Sequence, residues 1–149
     1  MFNLLSPSNA EHELRRLIAE HGQITFAQFM DVALYWPRGG YYSTRRAFGI
    51  GGDYYTAPLT HPAFGALVTQ QLLTMWHLLG KPTPFSIIEV GAGDARLAID
   101  VMEYAPILDV GFGRAMDYVG IDRLAPPADF SGDWVDTGTL PQSDRPGVV

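Results

Sequence analysis

The chain has 149 residues, 47% of them hydrophobic and 17% charged, with a formal net charge of −6. That is apolar material enough for one domain with a real core and too little charge for disorder throughout. The ten basic residues are scattered apart from the pairs Arg15-Arg16 and Arg45-Arg46, which argues against a nucleic-acid partner. Zero cysteines exclude disulfides, thiolate metal sites and a cysteine nucleophile.

Met1-Phe-Asn-Leu-Leu-Ser-Pro7 lacks the basic and long apolar regions of a signal peptide and the Arg- and Ser-rich character of a transit peptide. No apolar run approaches the roughly 20 residues of a membrane span. The expectation is therefore a cytoplasmic protein without a membrane span. Ser8-Asn-Ala-Glu11 reads as a capping box opening a first helix that Gly22 stops. Thr25 caps a second helix, whose Phe26, Phe29, Met30, Ala33 and Leu34 repeat as one buried face until Pro37, Gly39 and Gly40 end it. Residues 35–62 carry glycines, prolines and Tyr41, Tyr42, Phe48, Tyr54 and Tyr55 without periodicity. Such a loop either packs on its own aromatic rings or binds a ligand, for instance as an aromatic wall for a cation.

Pro62 suits the first turn of a third helix closed by Gly80, with Phe64, Leu67, Val68, Leu72, Met75, Trp76 and Leu79 as its apolar face. After Lys81-Pro-Thr-Pro84, the run Phe85-Ser-Ile-Ile-Glu-Val90 predicts a buried parallel strand, and a helix is expected from about Asp94 to Tyr104. Asp117-Tyr-Val-Gly-Ile-Asp122 reads as a second strand, Asp133-Trp-Val135 as a weak third, and Pro146-Gly-Val-Val149 as the start of a fourth. The class is α/β. It is expected to comprise a helical and loop region over 1–80 and a partial cofactor-binding region over 81–149, forming one structural unit with an incomplete parallel sheet.

Glu89-Val-Gly91-Ala92-Gly93-Asp-Ala-Arg96 carries the chemistry. A strand that turns through glycines into a helix brings backbone close to whatever faces the helix N-terminus. The dinucleotide fingerprint fails, because Arg96 stands where its third glycine belongs and Asp122 lies too far on. No Gly-Lys-Ser/Thr follows, so it is no P-loop either. What remains, acid-x-Gly-x-Gly on a strand–turn–helix with a second acid ending the next strand, resembles the S-adenosylmethionine site of Rossmann-like methyltransferases, whose cofactor is a cationic sulfonium with an amino group and a ribose diol. Carboxylates accept hydrogen bonds from the amino group and the hydroxyls, and no phosphate has to be cradled.

With this motif, the order Phe29-Met…Leu34-Tyr-x-Pro37-x-x-Gly40-Tyr-Tyr42, Gly49-x-x-Gly52-Asp-Tyr-Tyr-Thr-Ala-Pro58 and Pro62-x-Phe-Gly65 resembles the N-terminal part of the MidA / NDUFAF-type family of S-adenosylmethionine-dependent methyltransferases. The resemblance implies a Rossmann-like fold and S-adenosylmethionine as cofactor. It also implies methylation of arginine on a protein partner in respiratory complex I assembly. Carried over, Glu89, Gly91, Ala92 and Gly93 form the cofactor loop, and Asp122 is the ribose-binding acid. Asp133 and Trp134 flank the adenine, while Thr56 and Pro58 lie in the loop passing over the cofactor. No catalytic residue is implied.

Departures from the family pattern are Ala95 for a third glycine, Leu59 for a glutamate after Thr-Ala-Pro, and Ala125-Pro-Pro-Ala128 where a helix would follow Asp122. The family's substrate half would follow residue 149. The rival reading is thus a non-catalytic, truncated interaction or assembly module of the same fold. An open sheet edge would favour a homo-oligomer or dependence on a partner. His12, His21, His61 and His77 are too dispersed for a metal motif, and His61 alone lies near the proposed loop.

Overall fold

The computed structural model describes residues 8–44, 51–136 and 144–149, and the chain divides into two compact units, one ending at Thr56 and one beginning at Ala57. The first unit holds α1 (Asn9–His21), α2 (Phe26–Tyr35) and the single turn α3 (Tyr41–Thr44). Ser8 accepts from the N–H of Glu11 as expected, but the Glu11 carboxylate turns to Arg15 instead of back to the cap, so half of the capping box forms. Thr25 and Gln28 make the full reciprocal pair at α2. The expected buried face of α2 is not there: Val32 is its buried residue and Phe26 is 75% exposed. Helical periodicity shows which residues share a face, not which face another element covers.

The second unit opens with the turn α4 (Ala57–Thr60) and the long helix α5 (Ala63–Leu78). Thus the aperiodic stretch 35–62 contains two one-turn helices, α3 and α4. The buried stripe of α5 is Gly65, Thr69, Leu72 and Trp76, while Leu67 is 72% exposed. After α5 come β1 (Phe85–Val90), α6 (Arg96–Leu108), α7 (Val110–Ala115), β2 (Met116–Ile121), β3 (Asp133–Val135) and β4 (Gly147–Val148). The helix α6 starts later and runs further than expected. The turn α7 was not foreseen; Asp109 caps it by accepting from the N–H of Phe112 at 2.9 Å.

The four strands form one parallel sheet in the order β3-β2-β1-β4. Parallel pairing aligns Phe85 with Met116, Ile87 with Tyr118 and Glu89 with Gly120, and because side chains alternate, these six share one face. That face carries the core, in which Phe85, Ile87 and Tyr118 pack with Ala98, Val101 and Phe112. Fully burying a side chain such as Phe85 or Val101 is worth about 1.5–3 kcal/mol, so this layer fixes α6 against β1 and β2. At the crossing of α5 and α6 the backbone of Gly65 lies against Asp100, where a built Cβ would sit 2.3 Å from Asp100 Cβ. Only a residue without a side chain fits that approach.

Candidate functional site

The turn between β1 and α6 sits at the carboxyl edge of the two central strands. Gly91 and Gly93 have φ of +79° and +60°, a region glycine adopts without penalty. The N–H groups of Gly91 and Ala92 donate to Ile121 O at 2.8 and 3.1 Å, tying the turn to the end of β2. The N–H of Gly93 donates to Asp122 Oδ2 at 2.8 Å, and Asp122 Oδ1 accepts from the N–H of Leu124 at 2.9 Å. Thus Asp122 clamps the loop from the neighbouring strand while holding its own chain in a turn. A Cβ built on Gly91 meets nothing within 4 Å, so the outer side of the loop is open.

Glu89 is the second carboxylate here. Its carboxyl is held above the ordinary glutamate value chiefly by burial, with the negative charges of Asp94 and Asp122 adding to the rise; the hydrogen bond from Tyr118 works against it. The Tyr118 hydroxyl donates to Glu89 Oε2 at 2.9 Å, and burial together with the adjacent Glu89 charge pushes its ionisation far above the usual phenol range. Tyr118 therefore stays a donor. Sequence reasoning passed over it, although aligning the two strands at their acid-bearing ends places it on the face of Glu89.

The expected residues are brought together unevenly. Glu89, Gly91, Ala92, Gly93 and Asp122 gather at one edge. Trp134 lies across Gly120, where a built Cβ would meet its ring at 2.6 Å and Ala92 Cβ at 3.4 Å, and its indole N–H donates to Leu124 O. Asp133 precedes Trp134 on β3, so its side chain faces the other side of the sheet. Pro58 lies in α4, which neighbours α5 and α6. Thr56 closes the first unit as an exposed residue.

Ala95, standing in place of a third glycine, is fully buried and has a φ of +57°, a left-handed conformation that costs a non-glycine residue about 1–2 kcal/mol. His61 caps α5 through Nδ1, which accepts from the N–H of Ala63 at 3.0 Å. In the first unit the tyrosines largely engage one another. Tyr42 stacks on Tyr35 and meets Tyr41 edge-on, its hydroxyl lies 3.2 Å from that of Tyr54, and Tyr41 donates to Asp53. Phe48 lies outside the described residues.

The structure also shows a feature that no motif suggested. Asp100 on α6 is fully buried; its Oδ1 pairs with Arg96, and its Oδ2 has no partner among the described residues. Arg96, the basic residue opening α6, is therefore turned along its own helix. The residues present fit a cationic, diol-bearing cofactor: an open glycine turn, two carboxylates beside it, and a flat ring at the end of β3. Among the described residues, no group of three or more histidine, aspartate and glutamate side chains is placed to hold a metal ion, and no described helix is long and apolar enough to cross a membrane.

Residues 67–125 match the family model described as “Putative S-adenosyl-L-methionine-dependent methyltransferase”. The chain is similar to the mitochondrial protein arginine methyltransferase NDUFAF7 homolog of Drosophila melanogaster, 40% identical over 91 residues that cover 61% of this chain and 21% of the fly protein. It is 35% identical over 85 residues to mitochondrial protein arginine methyltransferase NDUFAF7 of Homo sapiens, covering 57% of this chain and 19% of that protein. Among solved structures it resembles a COG1565 superfamily member from Burkholderia thailandensis bound to S-adenosyl-homocysteine. The TM-score there is 0.64 at 28% identity, over 83% of this chain and 34% of that one. The chain thus spans about a fifth of the length of these curated relatives. The cytoplasmic location expected above is corrected by the same relatives, which are mitochondrial proteins. Cellular addresses are read by receptors from leader segments, so the composition of a folded domain does not carry them.

Proposed function

We propose that this chain, a relative of the S-adenosyl-L-methionine-dependent methyltransferases, holds S-adenosylmethionine across the carboxyl ends of β1 and β2. In this reading it is the N-terminal, cofactor-binding part of a protein arginine methyltransferase that serves respiratory complex I assembly. One observation carries the cofactor assignment: the open Gly91–Gly93 turn is clamped by Asp122 and stands beside the part-buried Glu89. When bound, the cofactor supplies an electrophilic methyl group on a sulfonium. The chain's own residues position and shield it. Asp122 keeps spare lone pairs for ribose hydroxyls while it holds the loop, Glu89 offers a carboxylate to the cofactor's amino group, and Trp134 supplies a flat apolar surface for a base. Glu89 and Asp122 together favour a cationic ligand over the pyrophosphate of a dinucleotide.

A second reading, a non-catalytic assembly module of the same fold, is favoured by the buried left-handed Ala95 and by apolar Leu59 in α4. Calorimetric titration of the chain with S-adenosylmethionine and, separately, with NAD tests the cofactor assignment. Saturable binding of the first and not of the second is expected; a folded protein that binds neither, or binds NAD better, refutes it. Transfer of labelled methyl from S-adenosylmethionine to protein arginine then separates enzyme from module, and binding without transfer by this chain joined to the rest of a full-length relative supports the module.

A further inference from the structure

Tyr118 carries a role that no expectation from the sequence assigned. Its ring is only 5% exposed, and its hydroxyl reaches Glu89 Oε2 at 2.9 Å. The pairing of β1 with β2 explains the reach: Glu89 stands opposite Gly120, which has no side chain, and Tyr118 lies two residues back on the same face. The ring of Trp134 covers Gly120 from the other neighbour strand. The ring of Tyr118 packs in the core while its hydroxyl reaches the carboxylate. Among the described residues Tyr118 is the donor to Glu89, and Oε1 is not a buried atom left without a partner. One carboxylate oxygen is thus occupied, and Glu89 is itself only part-buried, at the end of β1 and just before the glycine turn that begins at Gly91.

We propose that Tyr118 is a positioning residue that fixes the Glu89 carboxylate, so that Oε1 accepts from the α-amino group of the cofactor's amino-acid tail. The inference rests on the cofactor reading above and adds a specificity determinant to it. A glutamate side chain free to rotate would spread its acceptor over several rotamers and solvate both oxygens. Holding Oε2 leaves Oε1 a single direction, at no cost in charge, since the phenol stays protonated. Selectivity for a ligand bearing an amino group follows from that direction.

The test titrates S-adenosylhomocysteine and its desamino analogue, which keeps the adenosine, thioether and carboxylate, into wild type, Tyr118→Phe, Glu89→Gln and the double variant. Tyr118→Phe is expected to weaken S-adenosylhomocysteine about tenfold and to change the desamino analogue by less than about twofold. The double variant is expected to bind no more weakly than Glu89→Gln, because Tyr118 acts through Glu89. Equal weakening of both ligands, or no weakening of either, overturns the proposal while leaving the cofactor reading intact. A folded wild type that binds neither ligand overturns both. Should Tyr118→Phe fail to fold, the Tyr118 ring resonances of wild type decide the matter. A shift with S-adenosylhomocysteine and none with the desamino analogue supports the proposal, and equal shifts overturn it.

Discussion

The crossing of α5 and α6 sets the position of the glycine turn, and Gly65→Ala perturbs it directly. The added Cβ would lie 2.3 Å from Asp100 Cβ and 3.1 Å from its Cγ. Ordinary carbon contact is ~3.5 Å, so the two helices must part by about 1 Å. Overpacking of this kind costs about 1–3 kcal/mol. Alanine returns about 1 kcal/mol of helix propensity over glycine, which leaves a net loss of up to about 2 kcal/mol. For a protein of this size that lowers the melting temperature by up to about 8 °C, at 2–4 °C per kcal/mol. Because Ala95 and Arg96 lead directly from the turn into α6, its displacement also moves the Gly93–Asp122 clamp. Differential scanning calorimetry with and without S-adenosylhomocysteine reads both effects: a lower melting temperature and a smaller ligand-induced rise. A variant that melts higher than wild type, as an unconstrained glycine-to-alanine change in a helix would, refutes the close-crossing argument.

Glu89→Gln tests the burial of the carboxylate through pH. The folded carboxyl is raised above its ordinary value of 4.5 by burial, so its contribution to stability is complete below that value and is lost as pH rises through the folded one. The glutamine, neutral throughout, should therefore gain in melting temperature relative to wild type between pH 4.5 and neutrality; a difference that shrinks over this range contradicts the assignment. Arg96→Ala leaves the buried Asp100 carboxylate without its cation and should cost about 2 kcal/mol or more in urea unfolding. Arg96→Ala with Asp100→Ala should cost at least about 1 kcal/mol less than the two single losses combined; strict additivity would show that the pair does not interact.

Much of the fold was legible because the chain punctuates itself. Ser8, Thr25, Pro62 and Gly80 bracket helices close to where they form, and the apolar run at residues 85–90 is β1 as read. The sharp turn after β1 was legible for the same reason, since Gly91 and Gly93 between a buried strand and a helix supply its positive φ values. Tertiary choices were not written locally. The hydrophobic stripe of α2 could not say that Val32, and not Phe26, would be covered. The small stripe Gly65-Thr69 gave no sign that a carboxylate would lie against it. Tyr118 looked like an ordinary strand residue, because its partner Glu89 is 29 positions away and register alone joins them. Ala95 showed its identity in the sequence but not its positive φ.

The central claim is that the turn after β1 holds the cofactor, and calorimetric titration with S-adenosylhomocysteine of wild type and Gly91→Arg tests it most directly. The space beside Gly91 is open, so the arginine should project over the ligand's place and cost the fold only about 1–2 kcal/mol for the left-handed conformation. Saturable binding by wild type that is lost in a still-folded Gly91→Arg is the predicted result. Binding that survives the arginine, or a folded wild type that takes up no S-adenosylhomocysteine, would contradict the claim.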